Sequence, residues 1–342
     1  MKIIKSFAIN EIGQRENQED CIFPNNETII GKTNFFMICD GMGGHENGEV
    51  ASHSVCDSFA AYLKPYDQDS IDEKIFDRAL AYAYDELDKK DTTPPDAKKP
   101  GTTLTFLCLN STGALMAHIG DSRIYHFRRN ADGSTKILYK SQDHSLVNDL
   151  LRAKVITSEE AEKHPEKNLV SRIIQAKAKK RHNAEIVKIE DVKSGDLFFL
   201  CSDGILEHIN DAKLSEIIAA NDNTEKIIEI IRTLCEDNSH DNYSAWLLEV
   251  GCNEKNEESS EIEKHISKKN EEIAISNSYE KDSDKSKSGK KINWGISIMI
   301  LLIIIVIAYW FFIGNKINKP SEIQENTNSI QTDSVQTDNK TE

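Results

Sequence analysis

Four acidic points in the chain follow one pattern, an apolar run that meets an Asp beside a small or polar residue. Two are Phe35-Phe36-Met37-Ile38-Cys39-Asp40-Gly41 and Leu197-Phe198-Phe199-Leu200-Cys201-Ser202-Asp203-Gly204. Gly120-Asp121-Ser122-Arg123 follows the run 115–119, and Asp241-Asn242 precedes the run 243–250. A strand fixes where an Asp at its end points, and a following Gly lets the backbone turn sharply. The carbonyl at such a turn is an oxygen ligand for a hard cation. One Asp-Gly alone is usually just a turn. Four at strand ends in one acidic region are harder to treat that way. Carboxylates gathered without a cation would repel and raise one another's pKa. Mg²⁺ or Mn²⁺ relieves this, because both favour carboxylate, carbonyl and water oxygens. Two such ions about 4 Å apart can activate a bridging water and clamp a phosphate. Near the N-terminus, Gly13-Gln14-Arg15-Glu16-Asn17-Gln18-Glu19-Asp20 adds a guanidinium fork suited to phosphate and two outer carboxylates. Taken alone that stretch reads as a charged loop. No Cys/His arrangement with ligand spacing along the chain competes for a softer metal.

The elements that must position these acids are short. Runs at 3–9, 35–39, 103–109, 115–119, 186–189, 197–201 and 243–250 are rich in β-branched or aromatic residues and read as strands. Helical spacing covers 49–63, 71–87, 212–220 and 224–234, the last after Asn223 as an N-cap. Strands fall in groups with helices between the groups, which favours α+β layers over a doubly wound parallel sheet.

The 342 residues carry 42 Lys and Arg against 57 Asp and Glu, net −15. An acidic balance argues against a general nucleic-acid binder. Seven Cys are scattered with no C-x-x-C pair, which fits neither a zinc ribbon nor a secreted disulfide scaffold. Composition then divides the chain. Residues 1–250 hold most of the acidity, net −12, and read as one mixed domain. Residues 251–291 are rich in Glu, Lys, Ser and Asn and read as a flexible tether. Residues 292–315 carry no charge, and Trp294 to Ile313 suffices for about 30 Å of helix, the thickness of a bilayer core. Trp294, Tyr309 and Trp310 sit near its ends as interface anchors. Lys281, Lys285, Lys287, Lys290 and Lys291 outnumber Lys316 and Lys319, so the positive-inside rule places the large domain in the cytosol. The polar tail 316–342 would lie outside and be disordered.

The ordered set of motifs resembles the metal-dependent protein serine/threonine phosphatases of the 2C type, in their bacterial form. Arg15-x-x-x-Glu19-Asp20 resembles the opening motif. Asp40-Gly41-Met42-Gly43-Gly44-His45-x-x-Gly48-Glu49-x-Ala51-Ser52 resembles the second. Gly101-Thr102-Thr103-Leu104-Thr105, Gly120-Asp121-Ser122-Arg123, Asp143-His144-Ser145-Leu146-Val147, Ser202-Asp203-Gly204 and Asp241-Asn242 follow in order, over about 5 to 250. The resemblance implies a four-layer α-β-β-α sandwich of two antiparallel-rich sheets flanked by helices, here followed by a linker and one transmembrane helix. It implies hydrolysis of phosphoserine and phosphothreonine in proteins by attack of a metal-bridging hydroxide. It implies two tightly held Mn²⁺ or Mg²⁺ ions and a third, weaker one. Asp40 would bridge two ions and the Gly41 carbonyl would bind one of them. Asp203 and Asp241 would complete the other shell, and Glu19 would act through water. Asp121 with Asp203 would hold the third ion, and Arg15 the substrate phosphate. Met42 stands where animal members carry a His assigned as general acid, and His45 is not at that position. Residues 148–181 correspond to the variable flap, whose Lys177, Lys179, Lys180 and Arg181 form a basic run. That run reads as a solvated loop or, more sharply, as a dock for acidic phosphoprotein segments. The implied partners are phosphoproteins, a membrane serine/threonine kinase with its substrates, and lipid through 292–315, in a bacterial cell membrane. A narrow switch phosphatase acting on an anti-sigma-factor antagonist and a phosphoprotein-binding pseudophosphatase are the rival readings.

Overall fold

The computed structural model describes residues 1–25, 33, 35–43, 47–167, 169–236 and 238–251. The expected spanning segment 292–315, the tail 316–342 and nearly all of the tether 251–291 lie outside the described residues, as does His45. Among the described residues no helix is long and apolar enough to cross a membrane.

Two sheets carry the fold. The first runs in the order β1 (Lys2–Glu11), β12 (Tyr243–Gly251), β11 (Leu197–Cys201), β7 (Arg123–Arg129), β8 (Thr135–Lys140). The second runs β10 (Glu185–Ile189), β6 (Gly113–Ile119), β5 (Leu104–Asn110), β3 (Phe35–Met42), β4 (Gly101–Thr102), β9 (Ile174–Gln175), with β2 (Asp20–Phe23) pairing β3. Every strand pair is antiparallel. Helices α1 (Asn47–Leu63) and α2 (Glu73–Lys90) cover the second sheet, and α6 (Asp211–Ala219) and α7 (Thr224–Glu236) cover the first.

The alternation of side chains along each strand builds three cores from these four layers. On β3, Met37 and Cys39 face α1, while Phe36 and Ile38 face the other sheet. On β11, Phe199 and Cys201 pack under α6 and α7, while Phe198 and Leu200 point between the sheets. Trp246 joins that middle core edge-to-face with Phe36, at 5.2 Å between ring centroids. Both faces of β3 and β11 are therefore apolar, so these two strands read as unbroken hydrophobic runs.

The layered sandwich expected from the sequence is present in this domain. Helix α2 starts after Asp72, whose side chain accepts from Ile75 N–H, two residues later than periodicity alone suggests. Asn223 caps α7, accepting from Glu225 N–H at 2.9 Å. Strand β7 escaped the sequence reading because Arg123-Ile-Tyr-His-Phe-Arg-Arg looks too polar for a central strand. Tertiary partners remove that objection. Asp196 accepts from His126 at 2.8 Å and from Arg128 at 2.7 Å, and both His126 and Asp196 are buried. The flap contains two short helices, α3 (Leu146–Arg152) and α4 (Ser158–Glu162), with α5 (Asp203–Leu206) elsewhere at the end of β11.

Candidate active site

The motif acids come from separate strands but meet at one end of the two sheets. Asp40 and Gly41 close β3, and Asp121 follows β6. Asp203 opens α5 after β11, and Asp241 precedes β12. Arg15 and Glu19 lie on the loop from β1 to β2. All seven line one cavity of about 950 Å³. Each position named from the sequence is thus brought to a common space, whose lining among the described residues includes no Cys.

The electrostatics are those of crowded acids. Burial pushes the Asp40 carboxyl well above its ordinary range, and Asp203, Asp20 and Asp121 push it further. Burial and the charge of Asp241 raise Asp203 to about 6. Burial and Asp203 raise Asp121 to about 7. Glu19 rises as well, chiefly through burial. Among the described residues Arg15 is the cation that lines the cavity, its Nη2 donating to Asp241 Oδ2 at 2.6 Å. A divalent cation would replace this repulsion with attraction, and the donor set is all oxygen, which suits Mg²⁺ or Mn²⁺.

Backbone anchors hold the acids in place. Asp40 N–H donates to Thr103 Oγ1 at 3.0 Å, and the Asp40 carbonyl accepts from Thr103 N–H and Thr102 Oγ1 at 2.9 Å each. A Cβ on Gly41 would stand 2.2 Å from the Gly48 carbonyl, so only Gly fits between Glu19 and the start of α1. Gly13 has φ +61° and would strike the Asp241 carbonyl at 2.1 Å if it carried a Cβ. Asp20 is buried and accepts from Ser202 Oγ at 2.8 Å behind Asp203.

Asn242 does more than the sequence indicated. Its Oδ1 accepts from Glu19 N–H at 2.8 Å. Its Nδ2 donates to the carbonyls of Ile12 at 2.8 Å and Asn17 at 2.9 Å. One amide thus clamps the loop that carries Arg15 and Glu19 to the strand end that carries Asp241. The only signal for it in the sequence is its place beside Asp241. Val170, from the flap, also lines the cavity and was missed, because an isolated apolar residue in a loop carries no pattern.

Met42 lines the cavity and has no proton to give. The basic run is partly spoken for. Arg181 pairs with Asp85 and Asp88 at 2.7 and 2.8 Å, and Lys177 pairs with Asp91 at 3.0 Å, all on or just after α2. Among the described residues, Lys179 and Lys180 of the four are exposed and have no ion-pair partner. The structure therefore favours the solvated loop over an acidic-peptide dock.

Comparison with known proteins agrees with this arrangement. The family model described as protein phosphatase 2C matches residues 20–250. The chain is 30% identical over 226 residues to the protein phosphatase PhpP of Streptococcus pneumoniae, a match covering 64% of this chain and 88% of that protein. It is 28% identical over 230 residues to the serine/threonine protein phosphatase PstP of Mycobacterium tuberculosis, covering 66% of this chain and 42% of that one. The crystal structure of the M. tuberculosis PstP superposes with a TM-score of 0.59 at 26% identity, over 73% of this chain and 100% of that one. A PstP catalytic domain solved with two manganese ions superposes equally well, at TM-score 0.59 and 25% identity, over 73% and 99% of the two chains. The chain belongs to the protein phosphatase 2C family, whose serine/threonine phosphatases are metal-dependent hydrolases of phosphoprotein monoesters.

Proposed function

We propose that residues 1–250 hydrolyse phosphoserine and phosphothreonine in proteins at the acidic cavity. Asp40, the Gly41 carbonyl, Asp203 and Asp241, with Glu19 acting through water, would hold two Mn²⁺ or Mg²⁺ ions, and Asp121 with Asp203 a third. The observation that carries this reading is the meeting of these acids and Arg15 in one cavity, with their charges unbalanced. Bound there, divalent ions supply Lewis acidity and offset the charge of a phosphoryl group. Arg15, now paired to Asp241, offers its fork to phosphate oxygens in a bidentate pair. Its side chain is 53% exposed, so it can exchange one anion for the other without unburying. Asn242 sets the distance between Arg15 and the acids.

The test is phosphate release from a phosphothreonine peptide. Wild-type chain is expected to turn over only with Mn²⁺ or Mg²⁺, and Asp203→Asn is expected to be inactive. Turnover that persists in excess chelator would refute the metal assignment. We further propose that the chain is anchored in a bacterial cell membrane through 292–315, with the catalytic domain on the cytoplasmic side and the tail 316–342 outside. The uncharged run and its lysine-rich N-terminal flank support this. A chain truncated after residue 291 should move from the membrane fraction to the soluble fraction; if both lengths fractionate alike, the anchor is excluded. Such tethering would raise local concentration near membrane substrates, a membrane serine/threonine kinase among them.

A further inference from the structure

Away from the acidic cavity, two stacked and buried imidazoles each leave one ring nitrogen without a hydrogen-bond partner. His118 on β6 and His144, just before α3, are 1% and 0% exposed, and their rings lie 4.6 Å apart and nearly parallel. Strand β10 places Glu185 directly opposite His118. One ligand atom from each of the three residues falls within 4.8 Å of the other two. His118 Nε2 meets the Gln142 carbonyl at 2.8 Å, so that nitrogen donates and Nδ1 is left with a bare lone pair. His144 Nδ1 accepts from Gly120 N–H at 3.2 Å, so its Nε2 carries the proton. That Nε2 faces Glu185 Oε2 at 3.6 Å, too far for a hydrogen bond. His118 Nδ1 and His144 Nε2 are both buried and unpaired. His126 Nδ1 is a third such nitrogen, but among the described residues it is the His118–His144 pair that has a carboxylate placed to complete a ligand set.

We propose that His118, His144 and Glu185 form a second cation site, separate from the acidic cavity, for a borderline transition-metal ion such as Zn²⁺. Two imidazoles, one carboxylate and a position left for water make a common zinc shell, whereas the ligands named for the cavity are carboxylate and carbonyl oxygens. Burial lowers both imidazole pKa values, that of His144 to about 3 with His118 adding to it, so both rings are neutral and ready to ligate. The Gln142 carbonyl already holds His118 in the tautomer a metal on Nδ1 requires. A tetrahedral ion with bonds of about 2.0–2.1 Å needs its ligands about 3.3 Å apart. One ring must therefore tilt from the stack, and Glu185, 40% exposed on the edge strand, must close in.

Binding changes what His144 does. A metal on Nε2 shifts the ring proton to Nδ1, which then faces Gly120 N–H donor to donor. The bond to Gly120 is lost, and Gly120 adjoins Asp121. The His144 carbonyl also accepts from Ser171 N–H at 2.8 Å, beside the cavity-lining Val170. An ion here therefore disturbs both the Asp121 turn and the flap, and lowers phosphatase activity. This inhibition rests on the function proposed above; the binding does not.

The untagged full chain is stripped of metal and titrated with Zn²⁺ in saturating Mg²⁺, with dialysis for affinity and zinc K-edge X-ray absorption for ligand type. One zinc per chain with the scattering of two imidazoles is expected. Glu185→Gln, on the exposed edge, and His118→Gln should each weaken zinc binding roughly tenfold or more. An all-oxygen zinc shell, or unchanged affinity in a folded Glu185→Gln protein, overturns the site. Stoichiometric zinc should reduce peptide hydrolysis in wild type and less so in Glu185→Gln. Imidazole-bound zinc with activity unchanged overturns the coupling through Gly120. No hydrolysis by the Mg²⁺-loaded protein before zinc is added would instead count against the phosphatase reading, with the binding result standing.

Discussion

Replacing Asn242 by alanine removes three side-chain hydrogen bonds from a residue that is 4% exposed. Each contributes about 1 kcal/mol net, and the partners left behind, Glu19 N–H and the carbonyls of Ile12 and Asn17, add a desolvation penalty where water cannot reach them. A loss of about 2–4 kcal/mol follows, a large share of the stability of an ordinary domain. The loop then loses its tie to Asp241, and Arg15 and Glu19 drift from the acids across the cavity. A displacement on the order of 1 Å lowers kcat/KM about 100-fold. Urea denaturation gives the first quantity, and hydrolysis of a phosphothreonine peptide across a Mn²⁺ series gives the second, with apparent Mn²⁺ affinity expected to fall because Glu19 is displaced. Asn242→Asp refines the test. It keeps an acceptor for Glu19 N–H but cannot donate to the two carbonyls, and it adds a charge beside Asp241. Both variants should be impaired. A destabilisation under about 0.5 kcal/mol with kcat/KM within about twofold of wild type would refute the clamp.

Arg15→Ala should lower kcat/KM on a phosphopeptide while costing less than about 1 kcal/mol of stability, because its ion pair with Asp241 is half exposed; Arg15→Lys should recover only part, since the planar fork is lost. Burial alone would raise the Asp196 carboxyl, but Arg128 and His126 outweigh it and hold the group at about 2. A depressed acid stabilises the fold above its unfolded pKa, so about 2 kcal/mol should be lost as pH falls from about 4 to 2. Denaturation midpoints across that range should fall in wild type, and in Asp196→Asn the fall should be smaller by about that amount, the rest coming from other depressed acids such as Asp91 and Asp211. Phe36→Ala, emptying a fully buried place beside Trp246 between the sheets, should cost about 3–5 kcal/mol in the same denaturation assay.

Much of the catalytic centre was legible along the chain because its chemistry is local. An Asp at the end of an apolar run with a Gly after it suggests both a ligand and a turn, and Asp40 and Asp203 were readable this way, while Asp121 and Asp241 were readable from their places beside the apolar runs 115–119 and 243–250. The alternate burial of Phe36 and Met37, or Phe198 and Phe199, was not readable, because strands covered on both faces have no polar side to mark them. Strand β7 failed for the opposite reason. Its His126 and Arg128 look like surface until Asp196, some seventy residues on, neutralises them.

The sequence by itself determined which groups can bind metal and phosphate, the order in which they occur, and the grouping of strands and helices that must carry them. These follow from residue type and short-range spacing. Tertiary structure alone decided which of them meet. It joined Arg15 to Asp241 and made Asn242 a clamp. It tied part of the basic run to α2 and brought His118, His144 and Glu185 to one point at the edge of the second sheet. Those contacts link residues that lie far apart along the chain, and antiparallel register, which no local pattern of residues encodes, is what sets them side by side.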